Sequence, residues 1–246
     1  MELTDATCIV TGAATAIGQA TVAELAACGV AVIAVDDDAE ALEAIGAGAR
    51  VIAADITTPR GREEAIAAAG RPTHLVAVPA KSPTCPLAEV SAEHWEEVFA
   101  ANARAVFFLL QAVCPLLPPG GAVVSVASVA GKTSRNPEVA VYSASEAAIL
   151  SLTRSFANAY AGAGVRVNAI CTGIIETAEN ERYLREVAAA RGTTVEEIAA
   201  ARFSLVPMRR AGTPAECART VRYLLSDDAG FVTGQALNVT GGFHNY

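Results

Sequence analysis

The sequence predicts an α/β fold: a doubly wound, parallel, seven-stranded sheet of the Rossmann type with helices on both faces. Three observations predict it. Short apolar runs alternate with helical patterns from one end to the other, as strand–helix–strand crossovers require. A glycine-bearing turn joins the first run to the first helix. The chain has 246 residues, 52% of them hydrophobic, and a mean hydropathy of +0.36. That length suffices for one large core, and that composition suits a sheet buried on both faces.

The elements follow in order. Residues 6–11 read as a buried strand and 17–28 as a helix. Residues 30–35 and 50–54 are the next two strands, a short helix lies near 60–69, and 74–78 is the fourth strand. A long helix over 95–117 stops at Pro118-Pro119-Gly120-Gly121, a strong breaker. Residues 121–127 form a strand, 141–161 a helix and 165–170 a strand, and 177–202 reads as two short helices. Residues 214–226 form a helix with Thr213 as N-cap and Pro214 in the first position, and 236–239 is the last strand. No repeat, linker or internal boundary interrupts this rhythm, so residues 1–246 are expected to form a single domain. The stretch from about 174 to 212 departs furthest from the rhythm and follows the carboxyl end of a strand, which suits a substrate lid.

Composition narrows the function. No apolar run reaches the ~18 residues that span a bilayer. The opening Met1-Glu2-Leu3-Thr4-Asp5 has no basic segment of the kind that begins a signal peptide. A net charge of −8 argues against nucleic acid and anionic membranes as partners. The cysteines at 8, 28, 85, 114, 171 and 217 form no Cys-x-x-Cys pair and no zinc pattern, so no metal is expected and a reducing, cytoplasmic setting is.

The first turn reads Thr11-Gly12-Ala13-Ala14-Thr15-Ala16-Ile17-Gly18. Glycine allows close backbone approach to a pyrophosphate seated on a helix N-terminus, which makes Gly12, Thr15, Ile17 and Gly18 candidate cofactor contacts. An ordinary strand–helix turn would use the same residues. The second strand ends in Asp36-Asp37-Asp38. A carboxylate there accepts from both ribose hydroxyls of adenosine and repels a 2′-phosphate, so Asp36 favours NAD(H) over NADP(H). Asp37 and Asp38 read as a solvated turn. Asp55 suits either an adenine contact or a helix cap.

Together the pieces resemble the short-chain dehydrogenase/reductase family along nearly the whole chain. Trp95 followed by Asn102 resembles its helix asparagine, and Val123-Val124-Ser125-Val126-Ala127-Ser128 followed by Gly131 resembles its serine strand. Tyr142-x-Ala144-Ser145 resembles the start of its tyrosine helix. Gly164 through Ile170, and Gly173 through Thr177, resemble its sixth strand and cofactor loop. Thr233-Gly234-Gln235 and Gly241-Gly242 resemble its C-terminal end. The resemblance implies Ser128 as the residue orienting the substrate oxygen, with Ser125 as fallback, Tyr142 as proton donor, and Asn102 in a proton relay or a buried structural role. It places Gly173 and Thr177 beside the cofactor. It also implies a small-molecule substrate and a homodimer or homotetramer, or a hetero-oligomer with an active relative.

Three departures from the family pattern stand out. The helix lysine is replaced by Glu146, the Asn-Asn-Ala-Gly after the fourth strand reads Ala77-Val78-Pro79-Ala80, and the Pro-Gly after the sixth reads Thr172-Gly173. Tyr142 and Glu146 are four apart and share a helix face. At about 5 Å and an effective dielectric of about 20, a charged carboxylate opposes tyrosinate by roughly 3 kcal/mol. A phenol so held is a poor base but still an acid. The chain's two lysines, Lys81 and Lys132, flank the site and are candidate replacements for the lost ammonium. The sequence therefore points to an NAD(H)-dependent carbonyl reductase or alcohol dehydrogenase with an altered relay. A non-redox lyase, dehydratase or isomerase, and an inactive dinucleotide-binding subunit, are the alternatives.

Overall fold

Consecutive apolar residues in the central strands bury alternately in two cores, one on each side of the sheet. In this computed structural model the described residues are 3–46, 48–79 and 81–245; Met1, Glu2, Ala47, Ala80 and Tyr246 lie outside them. The strands are β1 (Thr7–Thr11), β2 (Ala31–Asp36), β3 (Ala49–Ala53), β4 (His74–Ala77), β5 (Ala122–Ser128), β6 (Arg166–Thr172) and β7 (Ala236–Val239). Their order is β3-β2-β1-β4-β5-β6-β7, and every pairing is parallel. Ile9, Leu75, Val123 and Val167 face one core; Cys8, Val10, Val76 and Val124 face the other. That two-sided burial is why the strands show no polar alternation.

Helix α1 (Ala16–Ala27), the short α2 (Ala39–Glu43), α3 (Pro59–Ala69), α4 (Ala92–Phe99), α5 (Ala105–Val113), α6 (Ala140–Tyr160), α7 (Ala178–Arg191), α8 (Val195–Phe203) and α9 (Pro214–Leu225) complete the fold. Leu109, Leu110, Ile149 and Leu150 of α5 and α6 close one core; Val22, Leu25, Val221 and Leu224 of α1 and α9 close the other. Thr213 and Glu216 form a capping box at α9, as the Thr-Pro start predicts. Strand order reverses between β1 and β4, so a crevice opens beyond the carboxyl ends of those strands, where ligands bind in such sheets.

Several boundaries differ from expectation for identifiable reasons. The long helix begins at Ala92 because the Ser91 hydroxyl accepts from the His94 N–H. It is also not uniform: a π-helical turn, Ala100–Arg104, separates α4 from α5. By length and composition the stretch Ala92–Leu116 is apolar enough to cross a membrane, contrary to the sequence expectation, but half of it is buried inside the fold, against the sheet and α6. Asp38 does not sit in a plain solvated turn; its carboxylate accepts from the Ala41 N–H and caps α2, which the sequence reading missed.

Gly12 has φ +64°, and a Cβ there would sit 2.0 Å from the Val78 carbonyl oxygen. Gly12→Ala therefore costs about 3 kcal/mol or more of unfolding free energy, combining strain with backbone overlap. Ala16→Gly, at the half-buried helix start, costs less than about 1 kcal/mol. Urea denaturation of both variants checks this, and a Gly12→Ala protein as stable as wild type would contradict the tight β1–β4 approach.

Candidate active site

The crevice is a cavity of about 670 Å³ at the carboxyl ends of β4, β5 and β6. Thr15, Ala16 and Ile17 wall it at the start of α1, and Ser128, Tyr142 and Glu146 wall it opposite. Gly173 and Thr177 lie on its third side, where the chain leaves β6.

The α1 turn is built for close approach. The Thr15 hydroxyl donates to the Gly12 carbonyl at 2.7 Å and accepts from the Gly18 N–H at 3.1 Å. A Cβ at Gly18 would meet the Gly12 carbonyl at 2.0 Å, so the turn is folded tightly on itself. Asp36 braces this turn from β2: its Oδ2 accepts from the Ala14 N–H at 3.0 Å and its Oδ1 from the Asp38 N–H at 3.1 Å. A cradle of main-chain N–H groups at a helix start, beside a carboxylate at the end of β2, fits a dinucleotide. Asp55 is exposed; its Oδ1 accepts from the Thr57 N–H at 2.8 Å in a turn before α3, whose cap is Thr58. Thr177 caps α7 by accepting from the Asn180 N–H.

Ser128, Tyr142 and Glu146 come together. Glu146 is 1% exposed, yet it lines the cavity, and its Oε2 accepts from the Ser128 N–H at 2.8 Å. Burial raises its carboxyl from the usual range to about 8, and the Ser128 N–H only partly offsets that. Tyr142 is pushed well above the ordinary phenol range, first by burial and then by Glu146, against a hydrogen bond from Ser128. The Ser128 hydroxyl also accepts from the Ala130 N–H at 3.1 Å, which fixes it at the cavity wall. Near neutral pH the carboxyl and the phenol both hold their protons. The sequence reading treated Glu146 as a charged opponent of Tyr142; burial instead makes it a mostly neutral acid.

Other expected residues lie apart. Ser125, the fallback, is fully buried away from the cavity, and neither its hydroxyl nor that of Thr11 meets a partner among the described residues. Both flank Ala77 in register across β1, β4 and β5, where the resemblance leads one to expect an asparagine. The accompanying Ala80 lies outside the described residues. Asn102 does not line the cavity; its amide donates to the Lys81 carbonyl at 2.8 Å and to the Ser145 hydroxyl at 3.1 Å. Ser145 in turn donates to the Tyr142 carbonyl at 2.8 Å. Asn102 thus holds α6 from the π-helical turn, a link through Ser145 that the sequence reading missed. Neither lysine replaces the lost ammonium. Lys81 pairs with Glu97 at 2.6 Å in an exposed bridge, and Lys132 donates to the Ala236 carbonyl and the Asn238 amide oxygen on β7.

The folded carboxyl of Glu146 titrates near 8 and the free group near 4.5. Between these values the folded protein keeps a proton that the unfolded chain has released, so stability falls as pH rises across that window. Glu146→Gln removes this dependence. Its unfolding free energy matches wild type near pH 5 and exceeds it at pH 8 by a few kcal/mol. Parallel pH profiles for the two proteins would contradict a buried, protonated carboxyl.

A family profile described as Enoyl-(Acyl carrier protein) reductase matches residues 12–244. The 3-oxoacyl-(acyl-carrier-protein) reductase FabG of Thermotoga maritima is 32% identical, over 98% of this chain and 99% of that protein. Among solved structures, NAD+-bound xylitol dehydrogenase superposes with a TM-score of 0.87 at 30% identity, covering 96% of this chain and 98% of that one. An NADPH-bound short chain oxidoreductase from Pseudomonas aeruginosa PAO1, described as containing an atypical catalytic center, superposes at 0.83 with 27% identity, over 100% and 99% of the two chains. With its sheet order, its glycine turn and this match over almost its full length, the chain belongs to the short-chain dehydrogenase/reductase family of oxidoreductases.

Proposed function

We propose that this protein is an NAD(H)-dependent carbonyl reductase in which Glu146, as a neutral acid, stands where the family carries lysine. The observation that carries the reading is the convergence of Ser128, Tyr142 and buried Glu146 on one cavity wall facing the α1 turn. A relative described as having an atypical catalytic center is consistent with activity in a changed site.

Thr15 and Ile17 would hold the pyrophosphate on the turn that Gly12 and Gly18 keep tight, Asp36 the adenosine ribose, and Gly173 and Thr177 the nicotinamide end. Bound, the reduced cofactor supplies a hydride to the carbonyl carbon. Ser128 and Tyr142 orient the substrate oxygen, and the Tyr142 phenol gives it a proton as the hydride arrives, so the product is the alcohol. The tyrosinate formed needs no negative neighbour, which is why a neutral Glu146 serves and an ionised one opposes. The same phenol is a poor base for the reverse oxidation near neutral pH. Residues 174–212 act as the substrate lid of a single domain. The exposed Trp95 of α4 and Phe108 of α5 suit pairing with a second copy.

Fluorescence titration is expected to show NADH binding at least about tenfold tighter than NADPH, because Asp36 repels a 2′-phosphate. In steady-state reduction of a neutral ketone, Tyr142→Phe lowers kcat by at least about a hundredfold. Wild-type reductase activity falls as pH rises through 8, and Glu146→Gln removes that fall. Binding of NADH with no hydride transfer to any carbonyl would instead favour non-redox chemistry on the same site.

A further inference from the structure

The cavity is lined by arginines that the reduction does not use, and Arg202 differs from the others. Arg202, near the end of α8, lines the wall formed by α7 and α8. Its guanidinium lies over the Tyr183 ring, 4.4 Å from the centroid. Its Nη1 is shut off from solvent and meets no hydrogen-bond partner among the described residues. Buried guanidinium donors are nearly always paired, so an unpartnered nitrogen beside a cavity leaves a donor that a ligand can satisfy. The other arginines of the cavity differ. Arg182 is exposed and bridges to Glu186 at 3.8 Å, and Arg135 is exposed over Phe243. Asn180 stands on the same wall with its Oδ1 also buried and unpartnered, a second polar end that accepts or, turned over, donates.

We infer that Arg202 anchors a carboxylate at the far end of the substrate, so the protein acts on apolar oxo-acids and their hydroxy-acid counterparts. This rests on the reading of the cavity as a substrate site. The stem is apolar because Val139, Ile174, Leu205 and Phe243 are among the residues that line the same cavity. The head is a monoanion because the wall offers one guanidinium with an unpartnered nitrogen among the described residues and also carries the exposed Glu179 carboxylate, which opposes a dianion such as a phosphate monoester. A planar guanidinium matches a planar carboxylate. Burial lowers the Arg202 pKa, and a carboxylate beside it would oppose that shift.

Calorimetric titration of the full chain with octanoate, octanol and octyl phosphate tests this without requiring hydride transfer. Octanoate is expected to bind at least about tenfold more tightly than octanol. Arg202→Gln removes that difference, Arg202→Lys keeps part of it, and both variants keep wild-type affinity for NADH. With NADH present, Arg202→Gln raises KM for 7-oxooctanoate by a similar factor and leaves its methyl ester unchanged. Equal octanoate binding by wild type and Arg202→Gln would overturn the inference. So would tighter binding of octyl phosphate than of octanoate, or an equal loss of NADH affinity in Arg202→Gln. If neither ketone is reduced while octanoate binding still requires Arg202, the reductase reading fails and the carboxylate anchor stands.

Discussion

The site depends on a carboxyl group buried one helical turn beyond a phenol. Desolvation of Glu146 exceeds the help it receives from the Ser128 N–H, so its proton stays on near neutral pH. That single balance decides the character of the site. An ionised Glu146 would add roughly 3 kcal/mol to the cost of forming tyrosinate at ~5 Å. A protonated one adds almost none.

The surrounding structure fixes that geometry rather than relieving it. A Cβ at Gly131 would lie 2.7 Å from the Ala147 nitrogen, so the turn after β5 packs directly on α6 at Glu146. That contact delivers the Ser128 N–H to the carboxyl. From the other side, the π-helical turn presents Asn102 to Ser145, and Ser145 ties to the Tyr142 carbonyl. π-Helical turns recur near functional sites because they re-aim one side chain inside an otherwise regular helix. Lys81 and Lys132 are held at Glu97 and β7, so neither lysine pairs with the carboxyl.

Much of this was legible in the sequence. The strand–helix alternation predicted the sheet, because strands buried on both faces are continuously apolar, and Gly12 and Gly18 marked the turn where backbones nearly touch. Residues 128, 142 and 146 stood out through the resemblance to the family, and the four-residue spacing put 142 and 146 on one helix face. What sequence could not supply was burial. The protonation of Glu146 depends on a desolvation visible only once Gly131 packs against α6. The π-helical turn has no sequence signature in its apolar run, so the orientation of Asn102 away from the cavity was hidden. Asp38 looked like a solvated charge because a five-residue helix carries too little periodicity to be seen. Arg202 drew no notice, since an arginine near the end of a surface helix is usually solvated.

Infrared titration reads the central balance directly. The account predicts a protonated-carboxyl C=O band at pH 7 that is lost in Glu146→Gln and titrates away in wild type with a midpoint near 8. A Glu146 carboxylate already ionised at pH 6 would contradict it.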